Sequence, residues 1–372
     1  MAALQRARIA DGEWDDDSDD EELGMSDVDF LMLGISKKGT DPEDDPDYVD
    51  DKFCHKNRYR KRTFKVVKEM PFAGLFPTLQ RTRRFEGSGI AYANGSYYVV
   101  FDSLKTLGRV DLRFSFRGPE NRLVGPVGDE SQFEGISYNA PSDSFFVLRE
   151  SFEHEEHGLV PVVYELKLTE EGANYRLMET CMVRFQLQDV NKGFESLHVF
   201  ERDGKRHMLG LCESNFCKTI IGPDPPGLQR GNGRLVWATY RAPEDQYDEC
   251  IWNVEKVIVL PEDAFLLDYA AIAFHGDFGE DVAIVSQEDA AVWVGKFDWT
   301  EMEFVKNPIA GEPAGQIYHF PRTDDCHKQY CNVEGAAWID AERLVLTSDK
   351  SKRIQDHRCM TKDQSVHIMS LP

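Results

Sequence analysis

Short apolar runs recur along the chain from about residue 64 to its end, paired across turns and closed by an acid. Tyr97-Tyr98-Val99-Val100-Phe101, Phe145-Phe146-Val147-Leu148 and Val282-Ala283-Ile284-Val285 are too short for helices. They are rich in the aromatic and β-branched residues that favour extended backbone. The first run of each pair has a related opening: Ser88-Gly89-Ile90-Ala91-Tyr92, Glu134-Gly135-Ile136-Ser137-Tyr138, Glu195-Ser196-Leu197-His198-Val199, Ala270-Ala271-Ile272-Ala273-Phe274 and Glu334-Gly335-Ala336-Ala337-Trp338. The second run ends at Asp102, Glu150, Glu213, Glu288 or Asp349. Between them stand Asn94-Gly95, Pro141-Ser142-Asp143, Asp203-Gly204, Gly276 to Gly279, or Asp340-Ala341, which are hairpin signals.

The openings lie 46, 61, 75 and 64 residues apart, the spacing of an array built from one supersecondary unit. An all-β fold follows, a β-propeller of five four-stranded blades. The second blade, for example, offers strands at residues 136–138, 145–149, 162–168 and 175–185. The fifth has strands at 336–338, 344–347 and 366–369 and then runs out of chain, so the strand at 64–67 is expected to supply the fourth. Pairing the two ends of the chain closes the ring and removes its exposed edges. The 75-residue third repeat leaves room for a sixth blade.

Charge divides the 372 residues differently. Residues 11–51 hold 18 acidic and two basic side chains out of a formal net charge of −23. Residues 1–51 therefore read as a disordered acidic tail, 52–63 as a basic linker and 64–372 as the propeller domain. Within the tail, the apolar island Val28 to Leu33 suits docking to a protein partner with a basic groove. A mildly acidic body argues against nucleic acid as a partner. No apolar run reaches eighteen residues, so no membrane span is expected, and the start of the chain lacks the apolar core of a secretory signal. With eight cysteines in no regular framework, free thiols and a cytoplasmic location are expected, with the nucleus open to the basic linker.

The repeat also places chemistry. In a blade the first strand lines the central channel and the second returns beside it, so Glu134, Glu195 and Glu334 meet at one mouth. Ser88 and Ala270 hold the equivalent places, with Glu86 close to Ser88. A second ring, Asp102, Glu150, Glu213, Glu288 and Asp349, surrounds them. Carboxylates converging in this way require a compensating cation. An all-oxygen set suits Ca²⁺, or Mg²⁺ with retained waters, as cofactor. Glu134, Glu195, Glu334, Ser88 and Glu86 are the expected metal ligands, with the open side between the first and fourth blades. Glu150 and Glu213 are candidate bases, and Arg149 and Lys350, with Lys218 and Arg353, would either pair with the outer ring or receive an anionic small-molecule substrate. Two other groupings carry less: Glu153-His154-Glu155-Glu156-His157 lacks the zinc-protease spacing, and Cys326, His327, Cys331, His357 and Cys359 lack common zinc spacing.

Phe133-Glu134-Gly135-Ile136-Ser137-Tyr138 with Phe145 to Glu150, and Asn332-Val333-Glu334-Gly335-Ala336-Ala337-Trp338 with Leu344 to Lys350, resemble blades of the SdiA-regulated and phytase-like (esterase-like) propellers. Calcium-activated nucleotidase propellers are more loosely similar. The resemblance covers residues 85–350 and implies a calcium-binding propeller, with Glu134, Glu195 and Glu334 as ligands. Ala270 departs from the pattern. A metal-dependent hydrolase of a phosphorylated substrate is the function implied. A lactonase-like hydrolase using the same metal is a variant of it, and a non-enzymatic scaffold for protein–protein interaction is the alternative.

Overall fold

Two of the hairpins are set by backbone conformation. Asn94 and Gly95 take φ of 47° and 75°, and Asp203 and Gly204 take 52° and 71°. Two successive positive φ values give the turn whose twist matches that of its flanking strands. The computed structural model describes residues 60–76, 85–126, 128, 131–169, 172–187, 193–213, 230–231, 233–245, 248–307, 309, 313–350 and 357–372. Lys218, Arg353, the acidic tail and residues 52–59 lie outside them.

Among the described residues the first elements are β1 (Lys65–Pro71) and a single-turn helix α1 (Phe72–Leu75). The first antiparallel meander is β2 (Gly87–Ala93), β3 (Ser96–Phe101), β4 (Leu104–Asp111) and β5 (Arg122–Val124). The second is β6 (Phe133–Asn139), β7 (Ser144–His154), β8 (Gly158–Leu168) and β9 (Tyr175–Val183). The third is β10 (Phe194–Arg202), β11 (Lys205–Cys212), β12 (Arg234–Arg241) and β13 (Ile251–Val259). In the fourth, β14 (Ala271–Phe274), β15 (Asp281–Ser286) and β16 (Ala291–Asp298) are flanked by two short pieces, β17 (Glu303–Phe304) and β18 (Gln316–His319), both paired with β16. The fifth is β19 (Val333–Asp340), β20 (Arg343–Ser348) and, after helix α2 (His357–Met360), β21 (Ser365–Ser370).

β1 completes that fifth sheet. It pairs antiparallel with β21 from Lys65↔Ser370 to Pro71↔Ser365, so the two ends of the chain meet as expected. Just ahead of it Thr63 bridges to His319 in the fourth meander. The first strands touch in a closed cycle, β2 to β6 to β10 to β14 to β19 and back to β2. A separate apolar cluster fills each gap between successive meanders; Phe200, Leu235, Trp293 and Phe297, for instance, sit between the third and fourth. Burying each such side chain contributes roughly 1.5–3 kcal/mol. The chain is a β-propeller. No helix among the described residues is long and apolar enough to cross a membrane.

Among the described residues the expectation of free thiols is overturned. Cys181 bonds Cys250 and Cys331 bonds Cys359, and Cys212 and Cys326 are disulfide-bonded too. The first bond clips the outer edges of the second and third meanders beside a parallel pairing of β9 with β13 (Met182↔Ile251, Val183↔Trp252). Its partners are 69 residues apart and the other described pair 28 apart, so the topology and not the spacing brings them together. The zinc alternative at Cys331 and Cys359 goes with it.

A buried polar network ties β1 into place. Glu69 on β1 accepts from Lys362 Nζ at 2.5 Å and Tyr330 OH at 3.0 Å, and lies 3.6 Å from His367 Nδ1. His367 Nε2 is 2.9 Å from Ser348 Oγ. The order resembles a Ser-His-acid relay, but Ser348 is 1% and His367 0% exposed, so no substrate reaches it. Burial lowers the pKa of this imidazole, and its Nε2 and Ser348 Oγ share one hydrogen bond. The neighbouring His367, with the bonds from Lys362 and Tyr330, holds the Glu69 carboxyl down at about 2. A depressed carboxylate stabilises the fold above its ordinary range near 4.5, and that stability is lost as pH falls through about 2. Because Glu69 is 36% exposed, screening reduces the effect to about 1–2 kcal/mol. Glu69→Gln should lower the melting temperature at pH 7 by about 2–5 °C, a gap that closes toward pH 2. Equal melting of the two proteins at pH 7 would refute the latch.

Candidate metal centre at the acidic mouth

The acidic opening of each first strand is a β-bulge. In β10, Phe194 pairs with Cys212 and Ser196 with Leu211, leaving Glu195 as the extra residue. The same break isolates Glu134 in β6, Glu334 in β19 and Ser88 in β2. A bulge leaves one residue out of the ladder and re-aims its side chain, so these four residues leave the pleat at the channel mouth. The following residue sits where adjacent first strands approach most closely. A Cβ on Gly135 would stand 2.9 Å from Ser196 Cα, and one on Gly89 2.8 Å from the Glu134 carbonyl oxygen. Glu-Gly is thus a two-part device, in which the acid turns into the mouth and the glycine lets the ring close.

The second strands complete the mouth through a repeated backbone bond. Asp102 N–H donates to Glu86 O at 2.8 Å, Glu213 N–H to Gly193 O at 3.1 Å and Asp349 N–H to Asn332 O at 2.8 Å. Each acceptor lies two residues before the bulge. Glu150 is anchored differently, accepting from Gly193 N–H at 2.9 Å and so crossing from the second meander to the third. The result is a tight group: carboxylate oxygens of Glu150, Glu195 and Glu213 all lie within 4.8 Å of one another.

Electrostatics follows from that packing. Burial pushes Glu134 well above the usual carboxylate range, and Asp102, Glu150, Asp349 and Glu213 add to it. Glu195 is raised in the same way by burial, then by Glu134, Glu213, Glu150 and Glu334. Asp102 is raised by burial and Glu86. Burial pushes Asp349 up to about 7 against the Lys350 backbone N–H, with Glu86, Asp102 and Asp363 adding their charge. Asp349 Oδ1 is buried and has no hydrogen-bond partner among the described residues.

The other expected residues are spread around this centre. Ser88 Oγ reaches Glu86 O at 3.4 Å. Lys350 meets Asp349 through its backbone N–H. Arg149 donates to Gln132 Oε1 and lies over the Phe152 ring at 5.5 Å. Glu288 belongs to a local network instead: its N–H donates to Asp268 Oδ1 at 3.1 Å. Asp268, 1% exposed and pushed up to about 7 by burial, also accepts from Ser286 Oγ and from Gln287 N–H at 3.2 Å. Sequence reasoning missed it, though a lone acid in Phe265-Leu266-Leu267-Asp268-Tyr269 was a visible signal. The carboxylate group lies on the second and third meanders, away from the side between the first and fourth.

No protein-family model and no curated protein matches the chain. Among solved structures it is similar to the PQQ-bound aldose sugar dehydrogenase of Streptomyces coelicolor, at 12% identity and a TM-score of 0.45 over 83% of this chain and 98% of that one. Glutaminyl cyclase of Myxococcus xanthus gives 9% and 0.40 over 83% and 96%. The calcium structure of a Trichoderma reesei carbohydrate-active enzyme of family AA12 gives 9% and 0.41 over 84% and 98%.

Proposed function

We propose that the acidic mouth binds a divalent cation, calcium before magnesium, and that the chain is a metal-dependent hydrolase of phosphorylated small molecules. The observation that carries this reading is the convergence of Glu150, Glu195 and Glu213 within 4.8 Å. Backbone bonds hold these acids together at an electrostatic cost that a hard cation offsets. The residues fit such an ion: the donors are all oxygen, and elsewhere on the mouth, near Glu86 and Asp102, Asp349 Oδ1 is buried and unsatisfied among the described residues. The resemblance of the Glu-Gly blades to phytase-like propellers supports the substrate class.

Distances favour Glu150, Glu195 and Glu213 as the ligand set, with Glu334, Ser88 and Glu86 further round the mouth. Glu134, whose pKa is raised, is then the group suited to take a proton from water. A bound cation supplies charge neutralisation for a phosphoryl oxygen. Lys350 and, once released from Gln132, Arg149 face the substrate anion.

Turnover of a phosphoester panel with and without calcium tests the reading. Glu134→Gln should keep calcium binding and slow hydrolysis by about 10²–10⁴-fold. If calcium binds yet neither phosphoesters nor lactones are turned over, the metal site stands and the hydrolase does not.

A further inference from the structure

We propose that the opposite mouth of the channel binds an organic cation, a quaternary ammonium headgroup. The far ends of the first strands form a cavity of about 210 Å³, open to solvent on one side and lined by Tyr92, Tyr138, His198, Phe274 and Trp338, with Asp277 among its lining residues. Buried Ile90, Ile136, Leu197 and Ile272 line it more deeply, toward the acidic mouth. Among the described lining residues there is no lysine or arginine.

The rings are held in place. Trp338 Nε1 donates to Ala273 O at 3.1 Å, and Tyr138 OH to Asp143 Oδ1 at 2.8 Å. His198 Nε2 lies 3.2 Å from Asp277 O, with its ring 4.9 Å from that of Phe274. Burial keeps this imidazole neutral, so it adds an aromatic wall and no positive charge. Aromatic faces attract a cation through their quadrupoles, most strongly where water is excluded, and a carboxylate at the rim adds to that attraction. A trimethylammonium group fits this chemistry; an anion does not. The site is separate from the acidic mouth and stands without the reading proposed there.

Choline is the probe, and its neutral carbon isostere 3,3-dimethylbutan-1-ol the control, each titrated into the full chain with tryptophan fluorescence and calorimetry as readouts. Choline should bind at least about tenfold more tightly than the isostere. Trp338→Leu should weaken choline by about tenfold. Because Trp338 is largely buried, the half-exposed Tyr92→Leu serves as the variant that keeps the fold, with about a threefold loss expected. Asp277→Asn should weaken choline and leave the isostere unchanged. Equal binding of choline and isostere, or no choline binding by the natively melting wild-type chain, would overturn the proposal.

Discussion

Glu134→Gln combined with Glu195→Gln should abolish the calcium-dependent rise in melting temperature and, in the absence of calcium, should make the protein more stable than wild type. Both residues carry pKa values raised by burial and by neighbouring carboxylates. A carboxyl whose folded pKa exceeds its unfolded value binds more protons in the native state across the window between the two. Stability therefore falls as pH rises through that window. For Asp349 the window runs from 3.8 to about 7. The calcium-free wild type should accordingly melt higher at pH 5 than at pH 7.5, and the double variant should lose part of that slope. Calcium at about a hundred times its dissociation constant adds about 2.7 kcal/mol, a rise of about 5 °C, to the wild type alone. Glu134→Gln by itself should retain the rise, since Glu195 remains. A double variant with undiminished calcium response would remove the metal site, and the hydrolase with it.

The parts legible in the sequence are those written in short range. Asn94-Gly95 and Asp203-Gly204 specify their hairpins because few residues accept two positive φ values in succession. The spare strand before residue 71 and the missing strand after residue 348 identify each other through the repeat alone, and β1 pairs with β21 accordingly. The ring of acids was readable for the same reason. Its geometry was not, because the bulge at Glu134, Glu195 and Glu334 is defined by the partner strand's register. Nor does a repeat reveal that Glu150 is bonded to Gly193 in the next meander, which draws Glu150 to Glu195 and Glu213. Arg149 and Glu150 are neighbours in sequence, yet one is bonded to Gln132 and the other to Gly193. The disulfides and the Glu69–His367–Ser348 network join segments that only closure of the ring brings together.

Gly135→Ala should destabilise the protein by about 1–3 kcal/mol without touching any acid of the mouth. The added Cβ would meet Ser196 Cα at 2.9 Å and Leu197 N at 3.1 Å. Both are backbone atoms of the next first strand, so no rotamer change relieves the clash and the ring must open locally. Gly135 has no positive φ, so the penalty is packing rather than backbone strain. Gly95→Ala separates the two effects. Gly95 has φ of 75°, and a Cβ added there would meet nothing within 4 Å, so its cost is conformational, about 1 kcal/mol. Gly135→Val should be worse than Gly135→Ala, whereas Gly335→Ala meets Thr347 Cγ2 at 2.3 Å and Gly89 Cα at 3.0 Å and strains the junction of the fifth and first meanders. Chemical denaturation of the four variants ranks them. If Gly135→Ala melted within a degree of wild type, close approach of the first strands would not be what the glycine in Glu-Gly is for.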